Sequence, residues 1–485
     1  MAPRPSEAVP HPPDLFDRAA AWRDLSTLWR SRRPELAFVI GRRRVGKSYL
    51  LSRFARAVGG IYYQATRRTE AEQLAMLSRI AGEHFEDPAL QQGVSFPNWE
   101  ALFGYLTGHV GDDPFLLILD EFPYLASAAP ALPSIIQTIW DHDWPARRMK
   151  LVLSGSHITA MRRLEAADQP LYGRRTARLQ IAPFPYTYVA DFAPNYTPVD
   201  QTLAYGIFGG LPGHLALLDG AASLAENVAR WILDPSGRLF DEAQHMLDAF
   251  LGEADIHYSI IEAIATGEQT WNNITKRLGK DGGSVSRPMR WLEEMQIVSR
   301  VVPLTESVPH KSKRAIYRIA DPYVAFWHRF VAPLIASGTA GVVAPDRLWR
   351  RYILPRLDGH TGPVFEEMCR AFVRRASGLP FAPVRVGTWW DAASQNEIDV
   401  VALGEDGEML VGECKWGAFN AHDLKTLRDR AALLARELPA GRGVTYALFS
   451  TRGLAGAAIK AEAAAGRVLH FTLDDLFRPE RSAEA

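Results

Sequence analysis

Residues 36–50 read LAFVIGRRRVGKSYL: an apolar run, a turn of glycine and arginine, and the start of a helix. Within them Gly41-Arg42-Arg43-Arg44-Val45-Gly46-Lys47-Ser48 fits the phosphate-binding pattern G-x-x-x-x-G-K-[ST] at every defined position. The pattern constrains the fold because it works only between a buried strand and a helix. Gly41 and Gly46 let the loop, Arg44 and Val45 included, aim backbone N–H groups at phosphate oxygens. Lys47 brings a point charge to the β and γ phosphates, and the Ser48 hydroxyl is a magnesium ligand. The run 36–40 then reads as a parallel strand and 48–57 as the helix, with Tyr49 in its first turn counted among the nucleotide contacts. ATP and Mg2+ are the ligands such a loop implies.

Strand and helix signals alternate downstream, as a parallel sheet requires. A helix over 15–30 leads into the loop strand, a second strand is expected at 60–65, and a long helix at 70–84. Residues 114–121, PFLLILDE, form an apolar strand ending in two acids. A buried strand of this kind delivers Asp120 to the magnesium shell, and Glu121 beside it activates the attacking water. A further strand, 150–156, ends in Ser154-Gly155-Ser156, where Ser156 reads either as a polar group facing phosphate or as the N-cap of a helix over 158–164. Arg174 and Arg175 follow. They read as solvated surface or as a source of an arginine finger on a neighbouring copy's nucleotide, which would make the protein a homo-oligomer.

The phosphate loop, Asp120-Glu121, the 154–156 strand end, Leu171-Tyr172-Gly173-Arg174 and Gly209-Gly210-Leu211-Pro212 together resemble the archaeal-type ATPase family, an AAA-like branch of P-loop proteins near the signalling ATPases with numerous domains. The resemblance covers residues from about 15 to 235. It implies a γ-phosphate sensor at Ser156, where many AAA proteins carry asparagine, and an adenine-facing Gly-x-Pro turn at Gly210-Leu211-Pro212, with Pro212 against the base.

From residue 258 the pattern shortens to three helices, 258–265, 270–278 and 284–295, then two strands, 297–302 and 315–319, around a basic loop with Lys311, Lys313 and Arg314. This is the order of a winged helix-turn-helix. Its third helix offers Ser284, Ser286, Arg287 and Arg290 to phosphates or base edges, so DNA is a candidate partner.

Residues 321–333 resemble the start of the uncharacterised C-terminal domain that often follows such ATPase modules. Beyond them a helix opens near Glu366 and Glu367, Asp399 begins a strand, and Glu413-Cys414-Lys415 closes its hairpin partner. The order looks like the PD-(D/E)xK nuclease core. Alternation puts Glu413 and Lys415 on one face, the hairpin brings Asp399 alongside, and Glu366 or Glu367 completes a magnesium shell. Lys415 then positions hydroxide or steadies the phosphorane charge.

Composition narrows the class without naming it. At 485 residues the chain is too long for one core. Lys plus Arg and Asp plus Glu both count 55, so no global charge argues for nucleic acid or membrane, and any such surface is local. The two cysteines, Cys369 and Cys414, make no disulfide framework and suit a reducing cytoplasm. No run of about eighteen uncharged apolar residues appears, so no membrane partner is expected.

The expected fold is therefore α/β: a disordered leader at 1–14, a P-loop core at 15–190, a helical lid at 191–252, a winged helix at 253–320 and a restriction-endonuclease-like α/β domain at 321–480. The expected function is ATP hydrolysis coupled to a nuclease-like, DNA-handling domain. The alternative is an ATP-dependent regulatory switch acting through protein association or transcriptional control, with a non-catalytic C-terminal domain.

Overall fold

Strands that are apolar at every position must be covered on both faces, and the first sheet meets that demand. Its strands are β1 (Glu35–Ile40), β2 (Ile61–Gln64), β3 (Phe115–Asp120), β4 (Met149–Gly155) and β5 (Ala177–Gln180). They lie in the order β2-β3-β4-β1-β5 with every pair parallel. All positions of β3 and β4 are buried. The computed structural model describes residues 9–111, 113–145, 147–248, 254–438, 441 and 443–478. Contacts divide the chain into two compact units, Met1–Phe184 with Leu211–Gly213, and Pro185–Gly210 with His214–Ala485.

In the first unit β4 lies between the phosphate-loop strand and the strand ending in Asp120. The registers Ile40↔Gly155 and Leu119↔Leu153 bring the carboxyl ends of β1, β3 and β4 to one edge of the sheet. The helices Ala19–Arg30 and Lys47–Val58 share one core with β1 through Trp22, Leu25, Leu50, Leu51 and Phe54. Trp22 stands edge-on to Phe54 at 5.0 Å between ring centres, and its indole N–H donates to Val9 O at 2.9 Å. Residues 9–14 thus depart from the disordered leader expected of them: Val9 is itself a core residue, because the indole needs a partner and the apolar side chain a cover. Residues 1–8 lie outside the described chain.

The second unit contains the three helices Ala254–Ala265, Trp271–Leu278 and Gly282–Glu294, and the antiparallel pair β6 (Val298–Val301) and β7 (Ile316–Ile319). Thr270 bridges to Ile316, and Tyr317 N–H donates to Gln269 O, so a third short piece of chain joins that pair. A second sheet follows from β8 (Arg385–Trp390), β9 (Glu397–Leu403), β10 (Met409–Lys415), β11 (Val444–Ser450) and β12 (Leu469–Thr472), ordered β12-β11-β10-β9-β8. Strands β8 to β10 are antiparallel, and β10 to β12 are parallel. One face packs on the helix Leu357–Arg375 through Phe365, Met368 and Val373, the other on the helix Ala421–Leu434 through Leu424, Leu427 and Ala431.

The division at Phe184 differs from the expected domain end at 190, and the reason is local. Tyr186 is buried in the second sheet's core, donates to Leu476 O at 3.0 Å and meets Phe477 edge-on. The helix Pro198–Phe208, expected in a lid, is tied to the same unit, where Gly206 O lies 2.8 Å from His360 Nε2. Among the described residues no helix is long and apolar enough to cross a membrane.

Replacing Trp22 by alanine removes a ring that Val9 and Phe54 both need. It is expected to lower the unfolding free energy by about 3–5 kcal/mol in urea denaturation; a loss under about 1 kcal/mol would contradict the packing described.

Candidate functional site

The phosphate loop is shaped by three backbone positions. A Cβ on Gly41 would lie 2.4 Å from Ile181 O, so only glycine passes there. Gly46 has φ +88°, and Arg44, with φ +66°, takes a left-handed conformation that side chains disfavour. Val45 is buried, and its carbonyl accepts from Arg18 Nη2 at 2.8 Å. That guanidinium also donates to Ala182 O at 3.0 Å and lies 4.6 Å over the Phe184 ring, so Arg18 props the loop from below. Arg18 went unnoticed in the sequence, where one arginine before a helix carries no signal. Pro212 stands 3.9 Å from the Cβ position of Gly46, and the Cβ position of Gly213 lies 3.7 Å from Arg44 Cβ, so this turn leans on the phosphate loop itself. Tyr49 is exposed, and its hydroxyl donates to Asp14 at 3.0 Å.

Lys47 is 4% exposed, and its ammonium donates to the carbonyls of Gly41 at 2.9 Å and Arg42 at 3.0 Å. Burial pulls its pKa down, opposed by the carboxylates of Glu121 and Asp120. Ser48 Oγ donates to Asp120 Oδ2 at 2.6 Å, and the Tyr62 hydroxyl donates to the same oxygen at 2.7 Å. Tyr62 lies on β2 and was not foreseen. Burial and the neighbouring Asp120 charge push its phenol upward, so it stays protonated. Glu121 has φ +52° and accepts from Ser156 N–H at 3.1 Å and Ser156 Oγ at 2.8 Å. The expectation that Ser156 caps the next helix is therefore corrected. The cap of Ile158–Leu164 is His157, whose Nδ1 accepts from Ala160 N–H, because the Ser156 hydroxyl is already engaged by Glu121.

Arg174 gives both sides of its guanidinium to Asp141, at 2.9 and 2.6 Å, and donates to Pro170 O and Tyr172 O. Arg175 pairs with Glu165 at 2.6 Å. Both arginines are thus held by carboxylates of their own chain.

In the second unit, Ser284 and Ser286 turn their hydroxyls back onto Asp281 and Gly282 O, inside the first turn of their helix. Arg314 is drawn to Glu306, Glu437 and the carbonyl of Trp390. Arg287, Arg290, Lys311 and Lys313 remain exposed.

The C-terminal acids come together differently from a simple hairpin. Pairing of β9 with β10 ends at Val400↔Gly412, and Asp399 Oδ2 accepts the Cys414 N–H at 2.8 Å where the two strands part. Glu413 Oε1 accepts from Arg430 at 2.9 Å, Lys415 pairs with Asp423 at 2.8 Å, and Glu366 lies 3.3 Å from Arg318 and 3.6 Å from Arg370. Glu366 is 22% exposed and Glu367 57%, which makes Glu366 the inward acid of the two. Arg370 Nη1 also donates to Asp399 O at 2.8 Å. Among the described residues no group of three or more His, Cys, Asp or Glu is arranged to hold a metal ion; Glu366 and Glu413 are turned to guanidinium groups and Asp399 to the Cys414 N–H. Burial first, then the charges of Glu366 and Glu413, push Asp399 well above the usual carboxylate range; burial raises Glu413 against the pull of Arg430.

Residues 15–218 match the family described as an ATPase domain predominantly from Archaea, and residues 327–427 match archaeal and bacterial proteins of unknown function. The match over 15–218 takes in the phosphate loop, Asp120, Glu121 and Ser156 and supports an ATPase-type P-loop function. An uncharacterised protein of Methanocaldococcus jannaschii is 28% identical over 426 residues, covering 85% of this chain and 90% of its own. The Walker-type ATPase of Pyrococcus abyssi is 20% identical with a TM-score of 0.49, over 65% of this chain and 96% of its own. The ORC2 protein of Aeropyrum pernix, in its ADPNP and ADP complexes, is 15% identical with a TM-score of 0.45, over 70% and 98%.

A carboxyl group raised in the folded state contributes stability at low pH that is lost as pH rises through its folded pKa. Asp399→Asn keeps the acceptor for Cys414 without the charge. It is expected to be more stable than the parent in urea at pH 8, the gain shrinking as pH falls toward about 4. Equal destabilisation at both ends would contradict the assignment.

Proposed function

We propose that the first unit binds and hydrolyses ATP and that nucleotide state governs a DNA-handling second unit. The observation that carries the reading is the single cluster Lys47, Ser48, Asp120, Glu121 and Ser156 at the carboxyl edge of one parallel sheet. The loop N–H groups and Lys47 bind phosphate, the ammonium exchanging the carbonyls of Gly41 and Arg42 for phosphate oxygens. Ser48 and Asp120 are hard oxygen donors already in contact, which fits magnesium. Magnesium held by Ser48 and Asp120 would supply neutralising charge to the phosphates. Glu121 takes the proton of the attacking water, and its hold on Ser156 keeps it aside until phosphate arrives. The same serine, freed from Glu121, becomes the group that meets the γ-phosphate. Pro212, set against Gly46, lines the nucleotide on the loop's other flank, with Tyr49 at the helix start.

Three features of the second unit support the DNA-handling half. Three helices, an antiparallel pair and the Thr270–Ile316 bridge match the plan of a winged helix, with Arg287, Arg290, Lys311 and Lys313 as its phosphate contacts. Helix, antiparallel hairpin and parallel strands follow in the order of a PD-(D/E)xK fold. In this reading Glu366, Asp399, Glu413 and Lys415 serve as its cleavage residues, supported by the nearness of the Glu366 and Glu413 charges to Asp399. A second reading, the regulatory switch with a non-catalytic C-terminal domain, is favoured by the ion pairs that engage Glu413 and Lys415.

Glu121→Gln is expected to bind ATP as the parent does and to hydrolyse it about a hundredfold or more slowly; an unchanged rate would remove Glu121 from the reaction. Supercoiled and linear DNA with magnesium or manganese, with and without ATP, separate the two readings of the second unit. Cleavage by the parent and its loss in Glu413→Ala support the nuclease. Equal inertness of both, with ATP still hydrolysed, supports the switch.

A further inference from the structure

Two hydroxyls converge on one oxygen of Asp120, and only one of them belongs to the phosphate loop. Oδ2 accepts from Ser48 at 2.6 Å and from Tyr62 at 2.7 Å, while Oδ1 accepts the Glu121 N–H at 3.0 Å. Asp120 is wholly buried, so its orientation depends on these donors and not on water. Tyr62 pairs with Ile118 across β2 and β3, two residues before Asp120. The period of the pleat puts Tyr62 on the same face as Asp120, and the length of its ring covers the step of about 7 Å between them.

The second donor changes what the first one can do. A serine hydroxyl has one proton and two lone pairs. While its proton points at a fixed Asp120, its lone pairs face the other way, which is how a hydroxyl oxygen presents itself to a cation. A carboxylate gripped by serine alone could swing and take the hydroxyl with it. Tyr62 comes from a different strand and prevents that swing.

We propose that Tyr62 is a positioning residue for the magnesium–nucleotide complex, acting through Asp120 to hold the Ser48 hydroxyl in the orientation that receives the cation. The inference rests on the nucleotide-binding reading of the first unit. It assigns to β2, a strand outside the phosphate-binding pattern, a role in how that pattern uses its metal. A tyrosine that merely filled space would affect folding, and nucleotide affinity would then fall alike with and without magnesium.

The test is equilibrium binding of a fluorescent ATP analogue, in EDTA and across a magnesium titration, for the parent, Tyr62→Phe, Asp120→Asn and the double variant. Tyr62→Phe is expected to match the parent in EDTA and to lose about tenfold of the magnesium-dependent gain in affinity. In the Asp120→Asn background the same substitution should change nothing further, since it acts through that carboxylate. Parent-like magnesium dependence, equal losses with and without magnesium, or a full effect persisting without Asp120 would each overturn the role of Tyr62 and leave nucleotide binding standing. A parent that binds no nucleotide in either condition would overturn both.

Discussion

Lys47 places a positive charge where water hardly reaches, and the loop around it has to compensate that charge. The carbonyls of Gly41 and Arg42 do so, and they can reach the ammonium because the chain bends tightly there. The bend in turn needs Gly41 to pass Ile181 O, a left-handed Arg44 and Gly46, and a prop under Val45. Each requirement is local, yet together they demand a rigid parallel sheet behind the loop. The sheet exists because β1, β3 and β4 are apolar enough to be buried on both faces.

The same edge handles negative charge by the opposite device. Asp120 is wrapped by Ser48, Tyr62 and the Glu121 N–H, and Glu121 is held by Ser156. Lys47 rests on carbonyls and the two acids on hydroxyl and amide donors, and the structure shows no direct ion pair between them. An incoming triphosphate can replace hydroxyl and carbonyl contacts without breaking a salt bridge. The second sheet behaves differently: Glu366 and Glu413 are met by Arg318, Arg370 and Arg430, while the buried Asp399 carboxyl accepts the Cys414 N–H.

Much of the first unit was legible in the sequence. Strand–loop–helix periodicity located β1, β3 and β4 to within a residue or two, and the loop pattern named Lys47 and Ser48. Arg18 and Tyr62 were not legible, because their partners are a carbonyl 27 residues away and a carboxylate 58 residues away, and no local pattern encodes such meetings. Ser156 was legible at a strand end, but its partner Glu121 lies 35 residues away, so rules that look only at neighbours left a helix cap and a phosphate-facing group as equal alternatives. In the second sheet, alternation brought Glu413 and Lys415 to one face. It could not show that β9 and β10 separate at Asp399, or that the helix Ala421–Leu434 carries the groups that meet them. The join between units was misread for a similar reason: Tyr186 belongs with Leu476 and Phe477, nearly three hundred residues on.

We propose that the buried Lys47 ammonium, which rests on the carbonyls of Gly41 and Arg42, is a phosphate ligand. A crystal structure with a non-hydrolysable ATP analogue and magnesium tests it most directly. The expected result is a triphosphate along Gly41 to Ser48, with Lys47 Nζ moved from the carbonyls of Gly41 and Arg42 to phosphate oxygens. A bound nucleotide that leaves Lys47 on those carbonyls, or that lies elsewhere on the chain, would contradict it.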